Sequence, residues 1–286
     1  MQARSGLARR DTDDGAVELY YEDLGDPKHP AVVLIMGLGA QLPMWPDGFC
    51  AQLVDAGYRV IRFDHRDTGL SAKMHGLRAR GGVYRRVGRY LLGRPSPVPY
   101  TLVDMTGDVV ALLDHLGIAR AHVVGASLAI VMSTTGKPFS RLPAWRVIRL
   151  AFNAPADDAT DEEKLAFEVR NVAVFNGPNF LPPDAELRRR VQHLAERSTY
   201  PPGMLRQFDA VLGTGSLLGY SKAITAPTVV LHGSQDPMLR PHNGRAVAAA
   251  IPGARYVVID GMGHDLPQPV WRPVVETLTE NFSRRT

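Results

Sequence analysis

Four short apolar runs recur along the chain: AVVLIMG at 31–37, AHVVG at 121–125, PTVVLHG at 227–233 and ARYVVID at 254–260, each closing on Gly or Asp. Runs this short that do not alternate fit strands buried on both faces, and such strands belong to parallel sheets covered by helices. The segments between them carry a helical period. WPDGFCAQLVDAG spaces Trp45, Phe49, Leu53 and Val54 along one helix and stops at Gly57, before YRVIRFD at 58–64 returns as a strand. Thr101 caps TLVDMTGDVVALLDHLG, which ends at Gly117. PHNGRAVAAAIP separates the last two strands, PVWRPVVETLTENFS closes the chain, and the alternating AVELYYEDLG at 16–25 predicts an early antiparallel strand. Strand and helix in this succession specify an α/β fold, a mostly parallel sheet flanked by helices.

Two stretches interrupt the pattern. From Lys137 to about Tyr220, helical segments such as DEEKLAFEVRNVAVF and AELRRRVQHLAER alternate with proline clusters and no strand signal. This predicts a helical cap over 137–222, inserted between core parts at 1–136 and 223–286. Between 74 and 99 an Arg, Gly and Pro rich stretch reads as an inserted loop whose centre, VGRYLLG, forms a short helix.

Composition bounds the partners. Across 286 residues, 45% hydrophobic and 22% charged side chains place the chain among ordinary globular proteins. No run of about 18 apolar residues occurs, and MQARSGLARRDTDDG lacks the apolar centre of a secretory signal, so a cytoplasmic protein with no membrane partner is expected. The net charge of +4 comes from arginine gathered at the two ends and in 78–94. Without an accompanying nucleic-acid motif it reads as a solvated surface, and no nucleic-acid partner is expected. The single cysteine, Cys50, excludes an internal disulfide and reads as a small core residue. Oligomeric state leaves no signal.

An acyl-transfer site needs a nucleophile on a tight turn, a histidine to take its proton, a carboxylate to orient that histidine, and N–H donors for the oxyanion. Gly125-Ala126-Ser127-Leu128-Ala129 follows the strand at 121–125 as G-x-S-x-G does where glycines let the chain turn and expose the hydroxyl, with Ala129 in place of the last glycine. Asp236, in GSQDP, and His264, in GMGHDLP, each follow a strand directly. Taken singly, such residues have plain readings as turn or packing side chains. Together they fall at the carboxyl ends of parallel strands, where open α/β sheets place their ligands, in the order Ser, Asp, His. Gly37, Leu38 and Gly39 follow the first buried strand. The backbone N–H groups of Leu38 and Leu128 are the candidate oxyanion donors, against a plain glycine turn.

These residues resemble the α/β-hydrolase family and, within it, the aclacinomycin methylesterase type of polyketide-tailoring esterase. Three stretches carry the likeness: LIMGLGAQLPMWPDGFCAQLVDAGYRVIRFDHRDTGLS, YTLVDMTGDVVALLDHLGIARAHVVGAS and PTVVLHGSQDPMLRPHNGRAVAAAIPGARYVVIDGMGHDLP. The resemblance implies hydrolysis of small or medium carboxylic esters with no cofactor and no metal. Met36 then stands where many relatives have His, and DHRDTGLS, with Asp64, Arg66 and Asp67, braces the turn after its strand.

One departure stands out. In the family the serine begins a helix of several turns, whereas here Leu128 to Gly136 already reads as the next strand and its exit. A parallel crossover requires a dozen or more residues. Either one strand leaves the sheet, or 121–133 forms one extended element, or GASLAIVMS makes a short distorted helix. A deletion after the nucleophile turn would leave a catalytically impaired or silent relative, acting at most as a binding module. A dehalogenase-like hydrolase needs an acidic nucleophile where Ser127 stands.

Overall fold

Burial on both faces decides which segments become central strands. The computed structural model describes residues 3–13, 15–125, 129–136, 144–153, 155–156 and 158–284. They form two units, one of Met1–Ser127, Gly136–Phe139 and Ser198–Tyr220, the other of Leu128–Thr135, Ser140–Arg197 and Ser221–Thr286.

In the first unit, β1 (Arg4–Thr12), β2 (Gly15–Leu24), β3 (Ala31–Leu34), β4 (Arg59–Phe63) and β5 (Ala121–Gly125) form a sheet in the order β1-β2-β4-β3-β5. β3 pairs parallel with β4 and β5, while β1–β2 and β2–β4 are antiparallel. Every residue of β3 and β4 is buried, including Arg59 and Arg62. Arg59 is paired with Asp23, and Arg62 with Glu22 and Asp47. One sheet face places Val33, Ile61 and Phe63 against Val109 and Leu112 of α3 (Leu102–His115), which begins in a capping box between Thr101 and Asp104. α1 (Asp47–Asp55) packs beside β4, and its Phe49 stacks on Trp45 at 5.7 Å.

The stretch at 74–99 contains α2 (Val83–Leu91), which starts four residues before the expected VGRYLLG. Cys50 is buried and its thiol is pushed up to about 12 by that burial, which fits a core residue and leaves no thiolate for chemistry.

In the second unit, β6 (Ala129–Val131), β7 (Val229–Gly233) and β8 (Arg255–Ile259) pair parallel in that order. β6 settles one alternative: 129–131 is a strand, not part of a distorted helix. It ends at Met132, whose φ of +51° turns the chain although its N–H still bonds Leu231 O. Residues 126–128, the link between β5 and β6, lie outside the described residues.

The remaining helices follow the helical period of their sequences. They are α4 (Trp145–Phe152), α5 (Asp161–Phe175), α6 (Asp184–Arg197), α7 (Pro201–Thr214), α8 (Leu218–Lys222), α9 (Pro241–Ala250) and α10 (Trp271–Phe282). α4 to α6 belong to the second unit and α7 to the first. Among the described residues of 137–222 there is no strand.

Candidate active site

Asp236 follows β7 by three residues and is buried. Its Oδ1 accepts the N–H groups of Met238 and Leu239 at 2.9 and 2.8 Å, so the turn before α9 closes on the carboxylate. Its Oδ2 lies 2.8 Å from His264 Nδ1 and 3.3 Å from His232 Nε2. Burial works against the charged form, but the hydrogen bonds from His232 and His264 outweigh it and bring the carboxyl down to about 2. An ionised carboxylate only accepts, so His264 Nδ1 carries a proton, and in the neutral ring Nε2 is the nitrogen with the lone pair.

His264 is held from three sides. Its N–H donates to Phe175 O at 2.7 Å, its ring lies 6.3 Å from the Phe175 ring, and Asp236 fixes Nδ1. The loop beside it runs in close backbone contact: a Cβ on Gly263 would lie 2.2 Å from Gly177 N. Asp265, next in sequence, has a buried Oδ1 without a partner among the described residues. Burial pushes its carboxyl up to about 7, opposed by His264 and Arg190.

His232 was not singled out from sequence. It is buried on β7, bonds Leu239 O as well as approaching Asp236, and its Nδ1 has no partner among the described residues. The signal was available in its place four residues before Asp236, on the strand that carries it.

In the first unit, the exit of β3 is fixed residue by residue. Ile35 N–H donates to Val124 O at 2.8 Å, and His65 Nε2 donates to Met36 O at 3.1 Å. Burial keeps the His65 ring below the ordinary histidine range. Gly39 N–H donates to Gln207 Oε1 at 2.8 Å, and Leu42 N–H to Asp64 Oδ1 at 2.7 Å. Between these anchors the Leu38 N–H makes no hydrogen bond among the described residues, and Leu38 is 43% exposed.

DHRDTGLS supplies the bracing. Asp64 accepts from Leu42 and Leu70 N–H, Ser71 Oγ donates to Asp64 O, and Arg66 holds Asp108 through two bonds of 2.6 Å. Asp67, at φ +69°, is gripped by Arg206 at 2.7 and 2.8 Å and by the Tyr100 hydroxyl at 2.7 Å. Gln207, beside Arg206 on α7, also donates to Arg66 O and Thr68 Oγ1, both at 2.7 Å. Sequence reading missed Gln207 and Arg206 because both reach their partners across more than 130 residues of chain.

The first glycine of the serine motif has a clear cause. Gly125 ends β5 at φ +151°, and a Cβ there would lie 2.3 Å from Ile35 O. Ser127 and Leu128 lie outside the described residues. Among the described residues no group of three or more His, Cys, Asp or Glu could hold a metal ion, and no helix is long and apolar enough to cross a membrane.

A buried aspartate orienting a histidine, both in loops that follow parallel strands, is the arrangement of a hydrolase. The model of the alpha/beta hydrolase family matches residues 32–277, and the chain belongs to that family as a hydrolase-type enzyme. Rhodomycin D methylesterase of Streptomyces peucetius is 28% identical over 303 aligned positions, covering 92% of this chain and 94% of that protein. A putative non-heme bromoperoxidase of Mycobacterium tuberculosis is 26% identical over 270 positions, covering 87% and 91%. Among solved structures, a bromoperoxidase from Bacillus anthracis matches with a TM-score of 0.72 at 20% identity, covering 98% of this chain and 100% of that one, a likeness of fold. The 303 aligned positions exceed the 286 residues of this chain, so the methylesterase carries residues that have no counterpart here.

Proposed function

We propose that the protein is a cofactor-independent hydrolase of small or medium carboxylic esters. Ser127 Oγ attacks the ester carbonyl while His264 Nε2 takes its proton. The oxyanion is held by the N–H groups of Leu38 and Leu128, and the alcohol leaves with the proton returned by His264. Water, deprotonated by the same nitrogen, then releases the acid and restores Ser127. Asp236 keeps His264 in the tautomer that this cycle needs. The observation that carries the reading is the 2.8 Å bond between Asp236 and His264, which leaves Nε2 able to accept a proton. Leu38 and Met204, 43% and 60% exposed, put apolar surface beside Gly39 and favour an apolar substrate. The methylesterase relatives make methyl esters the first class to assay. The cap over 137–222 and a cytoplasmic location belong to the same proposal.

Labelling the folded protein with a fluorophosphonate and mapping the adduct tests this directly. Modification at Ser127, abolished in His264→Ala, is the expected result; a folded wild-type protein that does not react overturns it.

One observation favours a second reading. Only residues 126–128 separate β5 from β6, so a helix of several turns, whose N-terminus would fix the Leu128 N–H, has no residues to form it there. Losing one oxyanion donor costs on the order of 10²–10³ in rate. A silent relative that retains only binding would show no ester turnover, and turnover that disappears in His264→Ala eliminates it.

A further inference from the structure

From Thr68 to Val103 the chain carries seven Lys and Arg side chains and no Asp or Glu. α2 lies within this stretch, and its inner side is anchored. Arg86 Nε donates to Asp209 Oδ1 at 2.7 Å, and the Tyr90 hydroxyl donates to Gly136 O. Arg86 and Tyr90 are four residues apart and share one face of the helix. Arg89 closes the following turn by donating to Pro95 O at 2.7 and 3.1 Å.

The outer side is unlike an ordinary solvated face. α2 buries no residue; Tyr84 is 90% exposed and Leu92 72%, with Val83 and Leu91 exposed as well. Tyr84 and Leu91 are seven residues apart, as are Arg85 and Leu92, so each pair lies on one side of the helix axis. Arg78, Arg80, Arg85 and Arg94 are exposed, and their side chains make no hydrogen bond or ion pair among the described residues. A solvated surface mixes both signs of charge and keeps large apolar side chains few. Here one sign stands alone, interleaved with Tyr and Leu.

Cations by themselves would suit any polyanion, an acidic protein or a nucleic acid included. The apolar side chains narrow the choice. An anionic bilayer receives both groups, since lipid phosphates take the guanidiniums while Leu and Tyr enter the boundary between headgroups and acyl chains. We propose that α2 and its flanking arginines form a peripheral docking surface for an anionic phospholipid membrane, with the helix lying in the plane of the interface. This revises the expectation of no membrane partner. It does not depend on the ester hydrolase reading, since none of these residues belongs to the candidate active site.

Cosedimentation of the full chain with phosphatidylcholine vesicles, alone or mixed equally with phosphatidylglycerol, tests the proposal. Binding is expected to the mixed vesicles only. It should weaken by about fivefold for each arginine removed in Arg85→Ala and Arg94→Ala, and weaken further with added salt. Leu91→Ser with Leu92→Ser should reduce it without altering binding to polyglutamate, a polyanion with no acyl phase. Unchanged melting of each variant keeps the comparison valid, because all four positions are exposed. No binding of the wild type to mixed vesicles overturns the proposal. So does binding that the leucine substitutions leave intact, which would assign the surface to an acidic macromolecule.

Discussion

Gln207 Oε1 accepts the Gly39 N–H at 2.8 Å, while the Nε2 of the same side chain donates to Arg66 O and Thr68 Oγ1. One fully buried amide thus ties the loop after β3 to the DHRDTGLS turn after β4. Gln207→Leu keeps the volume and leaves three partners unsatisfied, Arg66 O and Thr68 Oγ1 buried and Gly39 N–H half-buried, which costs on the order of 1–3 kcal/mol for each group that finds no water. If the Leu38 N–H holds the oxyanion, displacing its neighbour also lowers kcat by roughly 10–10²-fold with KM little changed. Urea unfolding and steady-state kinetics on the same variant separate the two effects. Lost stability with unchanged kcat would confine Gln207 to folding.

Asp236 is expected to set the acid limit of the second unit. Its folded carboxyl lies at about 2 against an ordinary 3.8. Below 3.8 the unfolded chain takes up a proton that the folded protein does not. The stabilisation is therefore complete above about pH 4, is lost as pH falls toward 2, and amounts to about 2 kcal/mol. Asp236→Asn removes this pH dependence, so its melting temperature should vary less than the wild type's between pH 5 and pH 2. The same change allows His264 the wrong tautomer and should lower ester turnover by on the order of 10³–10⁴-fold. Turnover at the wild-type rate would show that the pair serves stability alone.

The sequence made the strands of the candidate site legible because their signal is burial. β3, β4 and β7 are buried at every position; β3 and β7 read as apolar runs, and β4 keeps Val60, Ile61 and Phe63 beside its two paired arginines. β1 escaped for the opposite reason. RSGLARRDT buries only Ala8, Leu7 points to solvent, and Arg10 is spent on Asp104 O and Asp108, so no apolar pattern marks it. The Asp14-Gly15 pair before β2 was the available hint of a hairpin turn. Asp236 and His264 could be found because each follows its strand within a few residues. Arg206 and Gln207 act through hydrogen bonds to loops far away in the chain, and no local pattern encodes which loop that will be.

Asp265 should make stability fall on the alkaline side. Burial lifts its carboxyl from an ordinary 3.8 to about 7, with Asp236 adding to the lift and His264 and Arg190 opposing it. A carboxyl that holds its proton longer in the folded state than in the unfolded one costs nothing at low pH. It becomes a burden as pH rises from about 4 through 7, where the folded protein must lose the proton or keep it against the solvent. Asp265→Asn removes the charge and keeps the shape. The variant should match the wild type in melting temperature near pH 4 and exceed it at pH 8. An equal difference at both pH values would mean that the gain comes from packing and not from the proton.

Gly125 tests how much of the serine motif is catalytic signature and how much is packing. A Cβ at this position would lie 2.3 Å from Ile35 O and 2.9 Å from Ile35 Cβ, and the residue already sits at φ +151°. β3 and β5 are paired there, with Ile35 N–H on Val124 O at 2.8 Å, so neither strand can retreat without losing its ladder. Gly125→Ala is therefore expected to cost roughly 2–5 kcal/mol from backbone strain and overpacking together. Gly88→Ala on α2, where a Cβ meets nothing within 4 Å, serves as control and should gain about 0.5–1 kcal/mol. Denaturant unfolding of both variants decides the point. A large loss at Gly125 means that the neighbouring strand demands this glycine whether or not Ser127 reacts, so the glycine alone is no argument for catalysis. A small loss would return the residue to the nucleophile turn as its only explanation.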